Sequence, residues 1–193
     1  QNGRYPWESI GGGDGMQVEV DPRNPTVVIT GSQFGWYNRI DRAADDYTSI
    51  HPHHTLGEKQ LRWNWQTPIW LSRHQPDILF MASNRFHRSF DQGRSWETLS
   101  EDLTRGGKSG NVPYGTITTL HESPMRFGQL AIGTDDGIIQ VRRDGGYHWN
   151  SLSSPIPQDP TKDRTLWVSE VLWSAHETNR LYVALNGYRL DHF

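Results

Sequence analysis

The chain has 193 residues, of which 21% are charged, and 19 basic against 22 acidic side chains give a formal net charge of −3. This balance argues against a general nucleic-acid or anionic-membrane binder, which needs a basic face, and no run reaches the ~18 apolar residues that span a bilayer. Because the chain contains no cysteine, a disulfide framework, thiolate-bound zinc and a thiol nucleophile are excluded.

The predicted secondary structure consists of short strands that recur at a fixed interval. In chain order, strands are predicted at 7–10, 16–20, 27–31, 47–50, 68–71, 78–82, 96–99, 117–120, 129–133, 149–152, 168–172 and 180–184. Four of them close on a small residue, and these lie 51 positions apart each time: Gly31, Ala82, Gly133 and Ala184. Gly, Pro, Asn and Asp turns separate the segments, and no helical periodicity is sustained.

A repeat of about 50 residues with four strands per unit is typical of a β-propeller. One four-stranded sheet cannot bury both of its faces alone, so neighbouring sheets stack around an axis. We therefore predict an all-β propeller arc of about three and a half blades rather than a sandwich, which needs no fixed interval. The predicted division is the last strand of a preceding blade at 1–12, blades at 13–51, 61–101 and 114–154, and an incomplete blade at 165–193.

A turn motif recurs between the third and fourth strands of two units. The first copy follows the Ser-x-Asp-x-Gly-x-Ser-Trp pattern of the Asp-box, and the second has Arg142 in place of the serine; their key residues are Ser89, Asp91, Gly93 and Trp96, then Asp144, Gly146 and Trp149. In such a turn the aspartate accepts backbone N–H groups and the glycine adopts a positive φ. We predict a bracing role for both aspartates, with Trp96 packed beside the next blade.

Beyond these turns, the chain resembles the sortilin-like, Asp-box (bacterial neuraminidase repeat) propellers of bacteria, often labelled glycosyl hydrolases. The likeness rests on segments 11–15, 20–22, 61–68, 115–119, 133–137 and 167–169. It implies a propeller that continues on both sides and an extracytoplasmic location: secreted, periplasmic or on the cell surface. More distantly, the chain is similar to xyloglucan-cleaving propeller enzymes, whose two aspartates come from separate propeller domains. That similarity makes Asp14 the catalytic candidate.

The residues that lead into the innermost strands are the candidate ligand contacts, because those strands line the channel of a propeller. The candidates are Arg62, Asn64, Tyr114, Thr116, Arg164 and Trp167. Guanidinium groups bind carboxylates, and aromatic rings stack on sugars or apolar groups. The alternative is that such residues form structural hydrogen bonds or core between blades. The loop at 100–114 is a further candidate contact.

Two other clusters are interpreted as structural. Adjacent histidines at 53 and 54 point to different sides of an extended chain, so the segment 51–54 is predicted to be an inter-blade loop without a metal. Asp135 and Asp136 are predicted to form the turn after a second strand. No metal and no cofactor are predicted.

Three functions are left open by the sequence. The first is a non-catalytic module that binds protein or glycan at the channel face. The second is part of a sialidase- or xyloglucanase-like glycoside hydrolase with paired carboxylates. The third is an assembly element that pairs through open blade edges with the remaining blades of the same protein or with a second copy, because open edges favour association. Neither nucleic-acid binding nor membrane insertion is expected.

Overall fold

The computed structural model describes residues 8–143, 148–152 and 166–187, and strands dominate it. The strands are β1 (Val18–Val20), β2 (Val27–Gly31), β3 (Tyr37–Asp41), β4 (Asp46–Ser49), β5 (Ile69–Leu71), β6 (Leu79–Ala82), β7 (Phe86–Ser89), β8 (Glu97–Thr98), β9 (Ile117–Glu122), β10 (Leu130–Thr134), β11 (Ile139–Arg142), β12 (Asn150–Ser151), β13 (Trp167–Trp173) and β14 (Leu181–Asn186). Within these described ranges, one three-residue 3-10 segment at Gln33–Gly35 is the only helix. Residues 8–12 form no strand, and the start of the strand predicted at 7–10 lies outside the described residues.

The strands form four antiparallel sheets in which each strand pairs with the next along the chain: β1–β4, β5–β8, β9–β12 and β13–β14. This confirms the predicted all-β propeller arc. The second strand of each four-stranded sheet is buried along its whole length, because it lies inside the sheet with a neighbouring sheet on at least one face. A side chain at Gly133 would collide with Val168 of the following sheet, which explains one of the recurring small residues.

Three apolar cores fill the spaces between neighbouring sheets. Each core draws side chains from two consecutive sheets, as the stacking of propeller blades requires. Their principal members are Ile29, Tyr37, Ile50, Leu71 and Met81 between the first and second sheets, Phe80, Phe86, Ile117, Leu120 and Ile132 between the second and third, and Ala131, Val141, Val168, Val171 and Trp173 between the third and fourth. The blades are therefore held together mainly by burial of apolar surface.

The innermost strands of neighbouring blades are also joined by side chains. The side-chain amide oxygen of Gln17 (Oε1) accepts the Ile69 N–H at 2.9 Å, 52 residues along the chain. The same 52-residue offset joins the Val171 N–H to Thr119 at 3.3 Å and the Trp173 N–H to His121 at 3.1 Å. The paired residues follow in ascending order on both strands, 119 and 121 against 171 and 173, so the inner strands run in the same direction.

The 89–96 turn has the hydrogen bonds that its pattern predicts. Asp91 accepts the Ser95 N–H at 2.8 Å and the Ser95 hydroxyl at 2.6 Å, and Gly93 adopts a φ of +96°. Burial raises the pKa of Asp91, but the hydrogen bonds from Ser95 and Ser89 outweigh it and hold that pKa below the usual value. The aspartate therefore braces the turn.

The prediction that Trp96 packs beside the next blade is wrong. Its ring packs against the core between the first and second sheets, and its Nε1–H donates to the Ile50 carbonyl at 2.8 Å, so it faces the preceding blade. Trp149 is placed in the same way, with its ring 5.1 Å from that of Phe86. Asp144 and Gly146 of the second motif lie outside the described residues.

Gln92, between Asp91 and Gly93 of the turn, joins two blades. It adopts a left-handed φ of 57° and is almost fully buried. Its amide nitrogen donates to Asp21 at 2.6 Å and to the Pro76 carbonyl at 2.9 Å, while its amide oxygen accepts from Arg39 at 2.9 Å. One side chain therefore satisfies three groups, two of which belong to the preceding blade.

Replacing Gln92 with alanine is expected to lower the free energy of unfolding by about 2–4 kcal/mol, because the Asp21 and Arg39 groups lose a buried partner. Asp21 stays charged, since the hydrogen bond from the Arg23 side chain holds its pKa well below its usual range. Urea unfolding of the full-length protein measures the change. The exposed Gln66→Ala variant is the control and should change it by less than about 0.5 kcal/mol. Equal changes in the two variants would contradict the bridging role.

The first and fourth sheets expose apolar side chains. They are Val18, Val20, Tyr47, Leu172, Tyr182, Val183 and Leu185. Exposed apolar patches of this kind are typical of surfaces that pack against other elements or chains. The assembly role and its partners stay predictions.

Among the described residues, no helix has the length and apolar character needed to cross a bilayer.

Candidate ligand site at the loops that lead into the inner strands

The loops that precede β1, β5 and β9 lie at the same end of the sheets, because the inner strands run in the same direction. We call residues 8–17, 50–68 and 99–116 the leading loops. They contain the sequence-predicted candidates Asp14, Arg62, Asn64, Tyr114 and Thr116. The structure thus brings these candidates to one end of the arc.

A cavity of about 450 Å³ opens between the second and third leading loops. It is large enough for a sugar unit, since ligand pockets typically span about 300–1,000 Å³. Its lining combines three aromatic side chains, two cations and two amides with smaller groups: Phe34, Trp63, Tyr114, Arg62, Lys108, Gln60 and Asn111. None of the described residues that line it is a carboxylate.

The aromatic wall of the cavity is built by a turn of the first blade against the second leading loop. Phe34 adopts a φ of 60°, and its N–H donates to the Trp65 carbonyl at 3.1 Å while the two rings meet edge to face at 5.0 Å. The neighbouring Gly35 lies so close to Trp63 that an added Cβ would be 2.8 Å from the indole. A left-handed phenylalanine costs about 1–3 kcal/mol, so these contacts must hold it in place.

Arg62 is fixed by three partners. Its Nε–H donates to the Gly115 carbonyl at 3.0 Å, and its Nη2 donates to Asp102 at 2.6 Å and to the Thr104 hydroxyl at 3.0 Å. Burial raises the pKa of Asp102, but the hydrogen bond from Arg62 outweighs it, so the net pKa is lowered and the carboxylate stays ionised. The guanidinium is therefore held rigidly beside the cavity.

Asn64 and Thr116 do not reach the cavity. The Asn64 amide donates to the Thr116 hydroxyl at 2.8 Å, and that hydroxyl donates to Asp135 at 2.9 Å. Asp135 also accepts the N–H groups of Gly115 and Thr116, and burial raises its pKa. Because all three side chains are buried, the structure favours the structural alternative for Asn64 and Thr116.

Of the three remaining candidates, the structure describes Tyr114 and Trp167. Tyr114 is half-buried on the cavity wall, with the Lys108 ammonium 4.7 Å from its ring centroid. This places the predicted 100–114 loop on the cavity. Trp167 is half-buried at the start of β13, opposite Asn186. Arg164 lies outside the described residues.

Asp14 is exposed in a turn between Gly13 and Gly15, both of which adopt positive φ. Its backbone N–H donates to the Gln33 side-chain oxygen at 3.4 Å. Gln33 precedes Phe34, so a single turn of the first blade contacts Asp14 on one side and forms part of the cavity wall on the other. Asp14 and the cavity therefore belong to the same end of the arc.

A row of aromatic and imidazole rings lies beside the cavity. Trp36 stacks on His51 at 4.6 Å, His51 contacts Trp63 at 4.7 Å, and Trp63 stacks on His87 at 5.7 Å. Burial lowers the pKa of His51, and it lowers the pKa of His87 to about 3. Both rings are therefore neutral at pH 7 and stiffen the second leading loop.

The sequence interpretation missed a serine–histidine pair, Ser83 and His87, whose Oγ and Nε2 are 2.8 Å apart. Such a pair can activate a nucleophile. Here both side chains are fully buried, and the Ser83 oxygen also accepts the Arg85 N–H at 3.0 Å. Since no substrate can reach the pair, its role is structural: it braces the turn.

Two clusters fit their structural interpretation. His53 and His54 are exposed in an inter-blade loop. Asp135 and Asp136 follow β10 in its turn, where Asp136 accepts the Arg105 N–H at 2.7 Å.

Phe34, Trp63 and Gln60 were not predicted as ligand contacts, and Lys108 was included only as part of the 100–114 loop. Phe34 follows a second strand of the first blade, and nothing in its local sequence indicates that it reaches a loop of the second blade. Lys108 and Gln60 lie in loops whose composition alone gives no direction to a side chain. The signal that was available is the enrichment of aromatic residues at 63–65 and the charge-rich loop at 100–114.

No protein-family model matches the chain, and no curated protein matches it significantly. Solved structures match its fold. An ancestral GH74 enzyme has a TM-score of 0.59 at 14% identity over 89% of this chain. The GH74 xyloglucanase from Xanthomonas campestris has a TM-score of 0.57 at 11% identity over 89%. The extracellular domain of a protein described as a hybrid two-component system from B. thetaiotaomicron has a TM-score of 0.57 at 12% identity over 88%.

This chain spans only part of those structures, covering 22% of the ancestral enzyme, 26% of the xyloglucanase and 22% of the extracellular domain. At identities this low, the likeness concerns the fold alone. The chain is therefore similar to an arc of these larger β-propeller proteins.

Proposed function

We propose that the chain is part of a glycoside-hydrolase-like β-propeller protein that binds a polysaccharide at its leading loops. The observation that carries the proposal is the cavity between Trp63 and Tyr114, where aromatic faces stand beside amide and guanidinium groups. Aromatic faces bind the apolar side of a sugar ring, while amides and guanidinium groups hydrogen-bond to its hydroxyls. Similarity of fold to GH74 enzymes, one of them a xyloglucanase, supports this choice.

In this proposal Asp14 supplies one of the two carboxylates that glycoside hydrolysis requires. The second comes from residues outside the described ranges. We also propose that the protein belongs with the sortilin-like, Asp-box propellers and acts outside the cytoplasm. The turn geometry at 89–96 and the similarity to an extracellular domain support these two points.

The test is binding and hydrolysis of a panel of plant and bacterial polysaccharides by the full-length protein. Tyr114→Ala is expected to weaken binding of the best oligosaccharide about tenfold, because the ring loses its stacking contact. Tyr182→Ala, which removes an exposed ring from β14, is the matched control and should leave affinity unchanged. Equal affinity of the wild-type protein and the Tyr114 variant for every glycan bound would exclude this cavity as the site.

A non-catalytic binding module is the second candidate. It is favoured by the absence of any carboxylate from the cavity lining, because hydrolysis needs two carboxyl groups within about 5–9.5 Å of each other across the scissile bond. Glycan binding without release of new reducing ends would select this candidate over the hydrolase.

A further inference from the structure

The charge of the residues that line the cavity indicates which class of sugar it binds. This inference rests on the proposed function. Both charged residues of its lining, Arg62 and Lys108, are cations. A neutral glycan needs no such asymmetry, because hydroxyl groups are recognised equally well by carboxylates and amides. The sign of the lining charge therefore distinguishes classes of glycan.

The guanidinium of Arg62 keeps part of its binding capacity. Arginine has five N–H donors, and the three hydrogen bonds to Gly115, Asp102 and Thr104 involve Nε and Nη2. Within the described part of the chain, Nη1 has no hydrogen-bond partner, and the side chain is 25% exposed. A fixed guanidinium with a free edge binds an anion at little cost in conformational entropy.

Lys108 differs from Arg62 because it has no acidic partner. Its ammonium lies 4.7 Å from the centroid of the Tyr114 ring, and no carboxylate of the described residues lies within ion-pair distance. The contact with the ring directs the ammonium to the cavity wall, yet leaves its charge uncompensated. An anion in the cavity would supply the missing partner.

We propose that the cavity selects an anionic sugar, one that carries a carboxylate or a sulfate group. The anionic group lies between Lys108 Nζ and Arg62 Nη1, and the sugar ring lies against Tyr114. The amide groups of Gln60 and Asn111 bind the remaining hydroxyls. No bond is made or broken in this step, which is recognition alone.

Calorimetric titration of the full-length protein tests the proposal with three probes of equal length: a uronic-acid oligosaccharide, a sulfated oligosaccharide and a neutral one. At least one anionic probe is expected to bind about tenfold more tightly than the neutral probe, since hydrogen bonds to charged groups are the stronger ones. Its affinity should fall as salt is added, because the ammonium is exposed. Comparison of the two anionic probes identifies the group that the cavity prefers.

Lys108→Gln is expected to remove most of the tenfold preference, so that the variant binds the anionic and the neutral probe with similar affinity. Arg126→Gln, an exposed loop variant with the same loss of charge, should keep the preference. Equal binding of all probes, with no effect of Lys108→Gln, would overturn the anionic selection but not the proposed function. Failure of every glycan to bind would overturn both.

Discussion

Under the proposed hydrolase function, replacing Asp14 with asparagine in the full-length protein is expected to lower kcat for polysaccharide hydrolysis about a thousandfold, while KM changes little. Loss of a catalytic carboxyl group removes proton transfer or nucleophilic attack, and general acid–base catalysis alone contributes about 10²–10⁴-fold. Asparagine keeps the size of the side chain and suits the turn between Gly13 and Gly15. The backbone N–H contact with Gln33 does not involve the carboxylate and should persist.

Asp45→Asn is the matched control for this experiment. Asp45 occupies the turn between β3 and β4 with a φ of 53°, a conformation that asparagine also adopts readily. The control removes the same charge from the same blade and should keep the wild-type kcat. Undiminished turnover by the Asp14 variant on every cleavable glycan would remove Asp14 from the catalytic role and leave the binding module as the function.

Acidification is expected to destabilise the protein steeply between pH 6.5 and about 4. Burial lowers the pKa of His87 from 6.5 to about 3, and burial together with the charge of Arg73 lowers that of His121 to about 4. Below pH 6.5 these two histidines bind protons in the unfolded chain, whereas in the folded protein their lowered pKa values keep them unprotonated. Their stabilising contribution is therefore complete above pH 6.5 and is lost as the pH falls, at about 1.4 kcal/mol per pH unit for each histidine.

Unfolding free energies at pH 7 and pH 5, measured by urea titration, test this expectation. His87→Gln keeps a hydrogen-bonding side chain but cannot be protonated, so the difference between the two pH values should shrink by about 2 kcal/mol. Any loss of packing affects both pH values and cancels. His176→Gln, in an exposed loop, should retain the wild-type difference. A wild-type difference in the His87 variant would show that this imidazole is not the group responsible.

The agreement between sequence and structure is best where a feature depends on neighbouring residues. The 89–96 turn was predicted with its hydrogen bonds because Asp91, Gly93 and Ser95 are close in sequence. The direction of Trp96 was predicted wrongly, since its partner is the Ile50 carbonyl of the preceding blade. A local motif contains no information about which of two flanking blades a ring will face.

The candidate site illustrates the same limit. Arg62 and Tyr114 were predicted from their positions before inner strands, and both line the cavity. Asn64 and Thr116 occupy equivalent positions but are buried. Asn64 donates a hydrogen bond to Thr116, which in turn donates to Asp135. Equivalent positions in a repeat share a backbone path and differ in what surrounds them.

The sequence by itself determined the blade architecture, because the 51-residue interval of small residues and the recurrence of four short strands per unit both arise from the geometry of one repeated sheet. Only the tertiary structure decided which side chains meet in the cavity. Phe34, Trp63 and Lys108 come from three loops of different blades, and their contact depends on how the sheets stack. Packing between blades is a long-range property, so no local pattern could have specified it.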